Sequence, residues 1–384
     1  MSCHDNCIFI QLFNGARTHA SAATAGQAIK GRGASTRLAH RFARDARQPF
    51  DDGWDAEPDS AGAVRTELIW EDAKSALCRN DSPDIFFEQS VNPYRGCEHG
   101  CVYCYARPTH SYLNMSPGLD FETRIVAKRN IAGLLRAELA RPGHRPSVIN
   151  IGSATDCYQP LERRLGLTRA LIEVLGEARH PFALITKSSG VERDLDLLAP
   201  LARARLAAVY VTITTLDADL ARVLEPRAAA PHRRLRTLRT LADAGIPVGV
   251  SVAPQIPFIN DDMEQVLAAA CAAGAGTAFY SVLRLPWELN ALMRQWLAQH
   301  FPDRAARVLA RVQDLHGIDA AGRAAGASYT ARPGQRFTGQ GVWADLLHQR
   351  FTQACARLGL NRERIALDTS QFRPALARGQ GVLF

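Results

Sequence analysis

Cys97, Cys101 and Cys104 stand at C-x3-C-x2-C spacing within residues 92–113, NPYRGCEHGCVYCYARPTHSYL. Three thiolates this close can clasp one face of a cubic iron–sulfur cluster. Complete ligation of a four-iron cluster normally uses four cysteines, so three leave one iron open to a small molecule that brings its own amine and carboxylate. The stretch is flanked by Gly96 and Gly100, is rich in tyrosine, and reads as a loop wrapped around something. The rival chemistry is a structural zinc site with His99 as fourth ligand. Such ligands usually come as two separated pairs, and the chain has no second C-x2-C pair.

The spacing resembles the signature of the radical S-adenosylmethionine (radical SAM) enzymes, C-x3-C-x-aromatic-C, with Tyr103 in the aromatic place. That resemblance implies a [4Fe–4S] cluster on Cys97, Cys101 and Cys104, SAM chelated at the open iron, and adenine packed on Tyr103. It implies an enzyme in which the reduced cluster cleaves SAM to a 5′-deoxyadenosyl radical that takes hydrogen from a substrate. An electron donor such as flavodoxin or ferredoxin follows as a partner.

Such a loop needs a scaffold, and the chain alternates strand-like and helix-like segments after it. Strands are expected at 88–91, 147–152, 182–187, 206–215, 247–254 and 278–284. Helices are expected at 125–140, 167–178, 193–204, 232–245, 261–274 and 287–301. Short, nearly continuous apolar strands suit a parallel sheet covered by helices. Six β–α units in succession predict an α/β fold, a partial (β/α)6 TIM-type barrel, with an irregular N-terminal arm and a helical C-terminal extension. Radical SAM enzymes resemble this arrangement over residues 86–300. Residues 1–65 read as a mostly disordered or extended arm, with KGRG either a flexible linker or a basic contact. Residues 66–301 read as the core barrel and 302–384 as an extension that packs on it or covers its open side.

In such barrels functional groups sit where strands end at the C-terminal face. That rule selects Ser153 and Asp156 in GSATDCYQP, Lys187 in ITKSSG, Thr212 and Thr214 in VTITT, and Arg227 in LEPR. Each also has a plain alternative: a cap or turn for Ser153 and Asp156, a solvated rim for Lys187, strand propensity for the threonines. Arg227 has a fork suited to a carboxylate or phosphate. The resemblance makes Ser153, Asp156, Lys187, Thr212 and Thr214 SAM contacts, with Arg227 a cofactor-binding candidate on its fork alone, and narrows toward spore photoproduct lyase and its relatives, which have a lysine at the strand end of Lys187. RNDSPD, SPGLDFET and TKS..V.RDLDLL read like an uncharacterised lyase-like subgroup. In the lyase a cysteine beside the SAM-binding serine donates hydrogen. Here that neighbour is Gly152, with Cys157 a few residues on, so the lyase's substrate is not implied.

The 384 residues carry a net charge of +8, almost all from arginine, because Lys30, Lys74, Lys128 and Lys187 are the only lysines. Nucleic acid is therefore one candidate partner, with Arg233, Arg234, Arg236 and Arg239 on one helix either a contact surface or a solvated face. A lesion-repair activity like that of the lyase, and a zinc-stabilised basic binding protein, stand as alternative functions. No stretch approaches the roughly 20 apolar residues of a membrane span. Residues 8–13, IFIQLF, are too short for a signal-peptide core. Nine cysteines without paired spacing outside the motif fit a reducing, cytoplasmic compartment.

Overall fold

Val/Ile-rich segments separated by amphipathic ones bury both of their faces most simply as parallel strands between helices. The computed structural model, which describes residues 29–43, 64–318 and 335–374, takes that solution. β1 (Glu67–Glu71) and β2 (Leu77–Arg79) precede β3 (Gln89–Val91), which leads through β4 (Tyr94–Arg95) into the cysteine loop. α1 (Asp120–Thr123), β5 (Arg124–Lys128) and α2 (Ile131–Leu139) follow. Then come β6 (Ile149–Ile151), α3 (Glu162–Leu165) and α4 (Leu167–Glu177), followed by β7 (Phe182–Thr186) and α5 (Leu195–Arg203). The next are β8 (Ala207–Thr212), α6 (Ala218–Leu224) and α7 (Pro231–Asp243), then β9 (Val248–Gln255), α8 (Met263–Ala272), β10 (Thr277–Val282) and α9 (Glu288–His300). α10 (Pro302–Leu315) and α11 (Val342–Leu358) form the extension.

The main sheet has the order β10-β9-β8-β7-β6-β3-β2. Its six strands from β3 to β10 are parallel and lie in chain order, as right-handed β–α–β crossovers require; β2 adds antiparallel to the β3 edge. Among the described residues nothing pairs β10 with β2, so the barrel is partial and open. The core is the layer between sheet and helices, with Ile149, Ile151, Leu184, Val209, Val211 and Val250 wholly buried. The extension lies at the β10 side. The Val282 amide donates to the Phe337 carbonyl at 2.8 Å, and the Phe351 ring of α11 packs on Tyr280 of β10 with centroids 4.8 Å apart.

Two expectations need correction. The helix expected over 125–140 begins only at Ile131. Residues 124–128 are instead the centre of a separate three-stranded sheet, β1-β5-β4, with Ile125 and Ala127 packed against Tyr94. The apolar run RIVAK is β-branched at its start and is cut from the helix by Arg129–Asn130, which helical spacing alone did not weigh. The arginines of α7 form neither a uniform solvated face nor a groove. Arg234 is buried and paired with Glu225, Arg233 is held by Glu192 at 2.6 Å, and Arg236 and Arg239 are exposed. Among the described residues no helix is long and apolar enough to cross a membrane.

Candidate active site

The cysteine loop is built by backbone turns rather than regular structure. Gly100 N–H donates to Cys97 C=O at 3.3 Å, Cys104 N–H to Cys101 C=O at 3.3 Å, and Arg107 N–H to Cys104 C=O at 3.1 Å. Gly100 has φ +68°, and a Cβ there would lie 2.7 Å from Glu122 Oε2, so both conformation and space demand glycine. Cys97 and Cys101 are buried and Cys104 is half-buried. The loop is clamped from below by Arg107, which is wholly buried. Its guanidinium donates to the Cys101, Gly100 and Gly118 carbonyls at 2.8, 3.0 and 2.9 Å and to Glu122 Oε1 at 2.5 Å. On the other side Gln159 accepts from the Glu98 amide at 2.9 Å and donates to the Gly96 carbonyl at 3.2 Å.

Residues 29–43 run across this loop, which overturns the flexible-linker reading of KGRG; the rest of the expected arm, apart from residues 64 and 65, lies outside the described residues. Glu122 accepts the amides of Gly33 and Ala34 at 3.0 and 2.8 Å. A Cβ on Gly33 would fall 1.9 Å from the Gly100 carbonyl oxygen, so this strap rests directly on the cysteine loop. Farther on, Thr36 reaches Gln295 at 3.1 Å and Arg41 pairs with Glu288 at 2.8 Å. The strap therefore ties the first β–α unit to α9 of the last.

Burial pushes the Cys97 thiol well up, and the nearby charges of Asp156, Cys101 and Cys104 push it further. Burial likewise raises Cys101 to about 12, against the opposing pull of Lys187. Cys104 is raised by burial despite the Ala106 amide. Three unpaired thiols that feel one another's charge in a buried loop are a donor set short of positive charge. A cationic metal centre supplies it, because the thiolate is the ligand form. Among the described residues no three His, Cys, Asp or Glu converge to hold a single metal ion. His99, the fourth ligand of the zinc reading, instead turns Nδ1 toward Asp156 at 3.3 Å. Three thiols in one glycine-shaped loop are the donor type of an iron–sulfur cluster.

The other sequence-selected residues gather around the loop in two groups. In the first, Asp156 accepts from Thr186 Oγ1 and the Lys187 amide, both at 2.7 Å, and from the Tyr158 amide at 2.9 Å. Burial opposes its charge, but His99 and these donors outweigh burial and hold its carboxyl well below the usual range. Its oxygens thus join the ends of β6 and β7 to the loop. Ser153 Oγ accepts from Asn92 Nδ2 at 3.3 Å, and the Ser153 carbonyl accepts from the Tyr105 hydroxyl. Arg227 lies 3.4 Å from Glu98, and its amide donates to the His99 carbonyl at 3.2 Å. Cys157 is buried under β7, where its thiol is pushed well up by desolvation.

In the second group the Tyr103 hydroxyl meets Thr214 Oγ1 at 3.2 Å and Glu225. Thr214 donates to Glu225 at 2.5 Å, and Thr212 offers its carbonyl to Arg234 Nη1 at 3.0 Å. Burial opposes ionisation of Glu225, yet Arg234 and Lys187 hold its carboxyl down to about 2. Lys187 Nζ stands 5.7 Å from the Tyr103 ring centroid. Burial disfavours its charge, but the fields of Cys101 and Glu225 raise its pKa regardless. Glu225, Arg107, Glu122, Asn92 and Gln159 were missed from sequence. Asn92, Gln159, Glu122 and Glu225 carry no local sign that they will meet partners 61 to 122 positions away, and Arg107 reads as one arginine among many although its partners lie within 15 positions.

The sequence model of the Radical SAM superfamily matches residues 91–270. An uncharacterised protein of Mycobacterium tuberculosis is 37% identical over 240 residues, covering 61% of this chain and 70% of the relative. The chain belongs to the radical SAM superfamily. Its cofactors are those of the superfamily, a [4Fe–4S] cluster and SAM, and its chemistry is that of a radical SAM enzyme. An uncharacterised protein of Methanocaldococcus jannaschii is 27% identical over 213 residues, covering 56% of this chain and 76% of that protein. Among solved structures, a mutant spore photoproduct lyase with AdoMet and dinucleoside spore photoproduct bound matches with TM-score 0.46 and 16% identity. That alignment covers 61% of this chain and 66% of the lyase, so the chain spans just under two thirds of the lyase's length.

Proposed function

We propose that Cys97, Cys101 and Cys104 hold the [4Fe–4S] cluster by three of its irons and that SAM takes the fourth. The observation that carries this reading is the trio of unpaired, mutually interacting thiols in one glycine-shaped buried loop. When bound, the cluster supplies the electron for reductive cleavage of SAM and so for hydrogen abstraction from a substrate. The chain's own groups bind and orient. The Lys187 ammonium pairs with the methionyl carboxylate of SAM, and the Tyr103 ring, its hydroxyl anchored by Thr214 and Glu225, offers a flat wall to the adenine. Ser153 and the threonine end of β8 line the cofactor's path. Asp156 acts through what it holds, since its acceptor positions are filled by protein donors. Arg107 and the strap keep water from the loop. Flavodoxin or ferredoxin is the expected reductant and the cytoplasm the expected compartment.

Protein purified and reconstituted without oxygen is expected to be brown, to carry about four irons and four sulfides per chain, and to cleave SAM on reduction with dithionite. Cys101→Ala is expected to lose iron and SAM cleavage together. Retained cleavage in the reconstituted variant would sink the assignment.

A further inference from the structure

We propose that the cleft between the cysteine loop and the turn after β7 is a phosphoryl-group subsite, which holds a phosphate borne by the substrate. Its place beside the reacting centre rests on the reading above; its existence as a site does not. The cleft has a volume of about 250 Å³ and is lined by His99, Arg163, Ser188, Ser189, Arg227 and Arg233, among others. These residues come from segments that follow β3, β6, β7 and β8, so the cleft opens at the C-terminal ends of the strands, where ligands bind in this architecture.

The charges in its wall do not balance. Arg233 is held by Glu192 at 2.6 and 2.7 Å. Arg227 lies 3.4 Å from Glu98, whose two oxygens also take Thr66 Oγ1 and the Leu161 amide, each at 2.7 Å. Arg163 is exposed at the cleft and makes no ion pair among the described residues. Behind the wall stands Arg32, held by the Glu122 and Val64 carbonyls at 2.8 and 2.5 Å rather than by a carboxylate of its own, because the Glu122 side chain is given to Arg107. Burial and the charge of Arg227 both push the Arg32 pKa down. Three guanidinium groups, Arg163, Arg227 and Arg233, line the cleft and two carboxylates, Glu98 and Glu192, answer them, so Arg163 is left unanswered in a concave wall with Arg32 behind it.

A phosphate supplies the negative charge that Arg163 lacks. Guanidinium forks match its oxygens in pairs. Ser188 accepts from the Gly190 amide at 3.0 Å, which leaves its own proton to donate. The volume exceeds that of a phosphate group, so part of the molecule bearing it can enter as well. A second cleft of about 270 Å³ shares Tyr158, Arg163 and Ser189 with the first and extends past Arg193. A longer phosphorylated ligand would run that way.

The test is isothermal titration of the whole metal-free chain, at low salt, with four probes: inorganic phosphate, pyrophosphate, a nucleoside monophosphate and a short single-stranded oligonucleotide. Saturable binding of pyrophosphate at one site per chain is expected. Arg163→Glu should weaken it at least tenfold, since it removes the unpaired cation from an exposed position without breaking an ion pair. Arg141→Glu makes the same charge change on the exposed segment that precedes β6, at the opposite end of the strands, and should leave it unchanged. A tighter oligonucleotide arm would identify the source as a phosphodiester chain, and a tighter mononucleotide arm a small phosphorylated molecule. Equal weakening by the two variants, no saturable binding of any probe, or displacement of pyrophosphate by SAM from reconstituted protein would each overturn the proposal. Because titration needs no cluster, failure here leaves the assignment of Cys97, Cys101 and Cys104 standing, and loss of that assignment leaves the titration readable.

Discussion

His180 Nδ1 lies 3.1 Å from the Pro181 carbonyl, and its Nε2 faces His144 Nε2 across 3.1 Å, with the Phe372 ring packed on both imidazoles. Burial, joined by the His144 charge and only partly offset by the Pro181 carbonyl, lowers the His180 pKa to about 4. His144 is lowered too, by burial and Arg79 against Glu138. A histidine depressed in the folded state binds its proton more readily when unfolded. Its contribution is therefore fully present above its unfolded pKa of about 6.5 and is lost as pH falls from there toward 4. Urea unfolding should show a loss on the order of 2 kcal/mol between pH 7 and pH 5 from this group, and His180→Gln should flatten that slope; an unchanged slope would count against the buried neutral pair. At this scale sequence reading found the thiols because three cysteines in eight residues are conspicuous. It found Lys187 because lysine is rare in this chain. It had no way to see Glu225, which reaches Tyr103 from 122 positions away.

Among the elements, the strap at 29–43 departs most from what its composition suggested. KGRGAST looks like linker, yet Gly33 is glycine because its backbone touches the Gly100 carbonyl, and Ala34 is buried. Gly33→Ala should lift the strap at a cost of about 1–3 kcal/mol, the usual penalty of overpacking. Hydrogen exchange should then quicken at residues 29–43 and at the cysteine loop while the strands stay protected. Unchanged exchange at the loop would mean that the strap does not cover it. The helices and strands were legible because a helical period of 3.6 and short, nearly continuous apolar runs are local properties. β5 was not, since its choice between strand and helix was made by pairing with β1 and β4.

At the level of the molecule, an open parallel sheet leaves β10 as an edge, and the extension occupies it through the Phe337 carbonyl and the α11 face. Phe351→Ala should lower stability by about 2 kcal/mol, less than for a fully buried phenylalanine, with iron content after reconstitution unchanged. A parallel loss of iron would show that the extension reaches the cysteine loop. The net charge of +8 reads from sequence as a general attraction for anions. In the fold Arg234, Arg233 and Arg107 are answered by Glu225, Glu192 and Glu122, pairs that leave the net charge unchanged, while Arg163 makes no ion pair among the described residues at the cleft after β7.

The sequence by itself determined the donor set and its spacing, the order of strands and helices, and hence the family, because all of these are carried by residues close together in the chain. Only the tertiary structure decided which carboxylate answers which arginine, that the N-terminal segment lies on the cysteine loop, and that β5 is a strand. Those outcomes depend on distance in space, which burial and charge pairing settle once the whole chain has closed on itself.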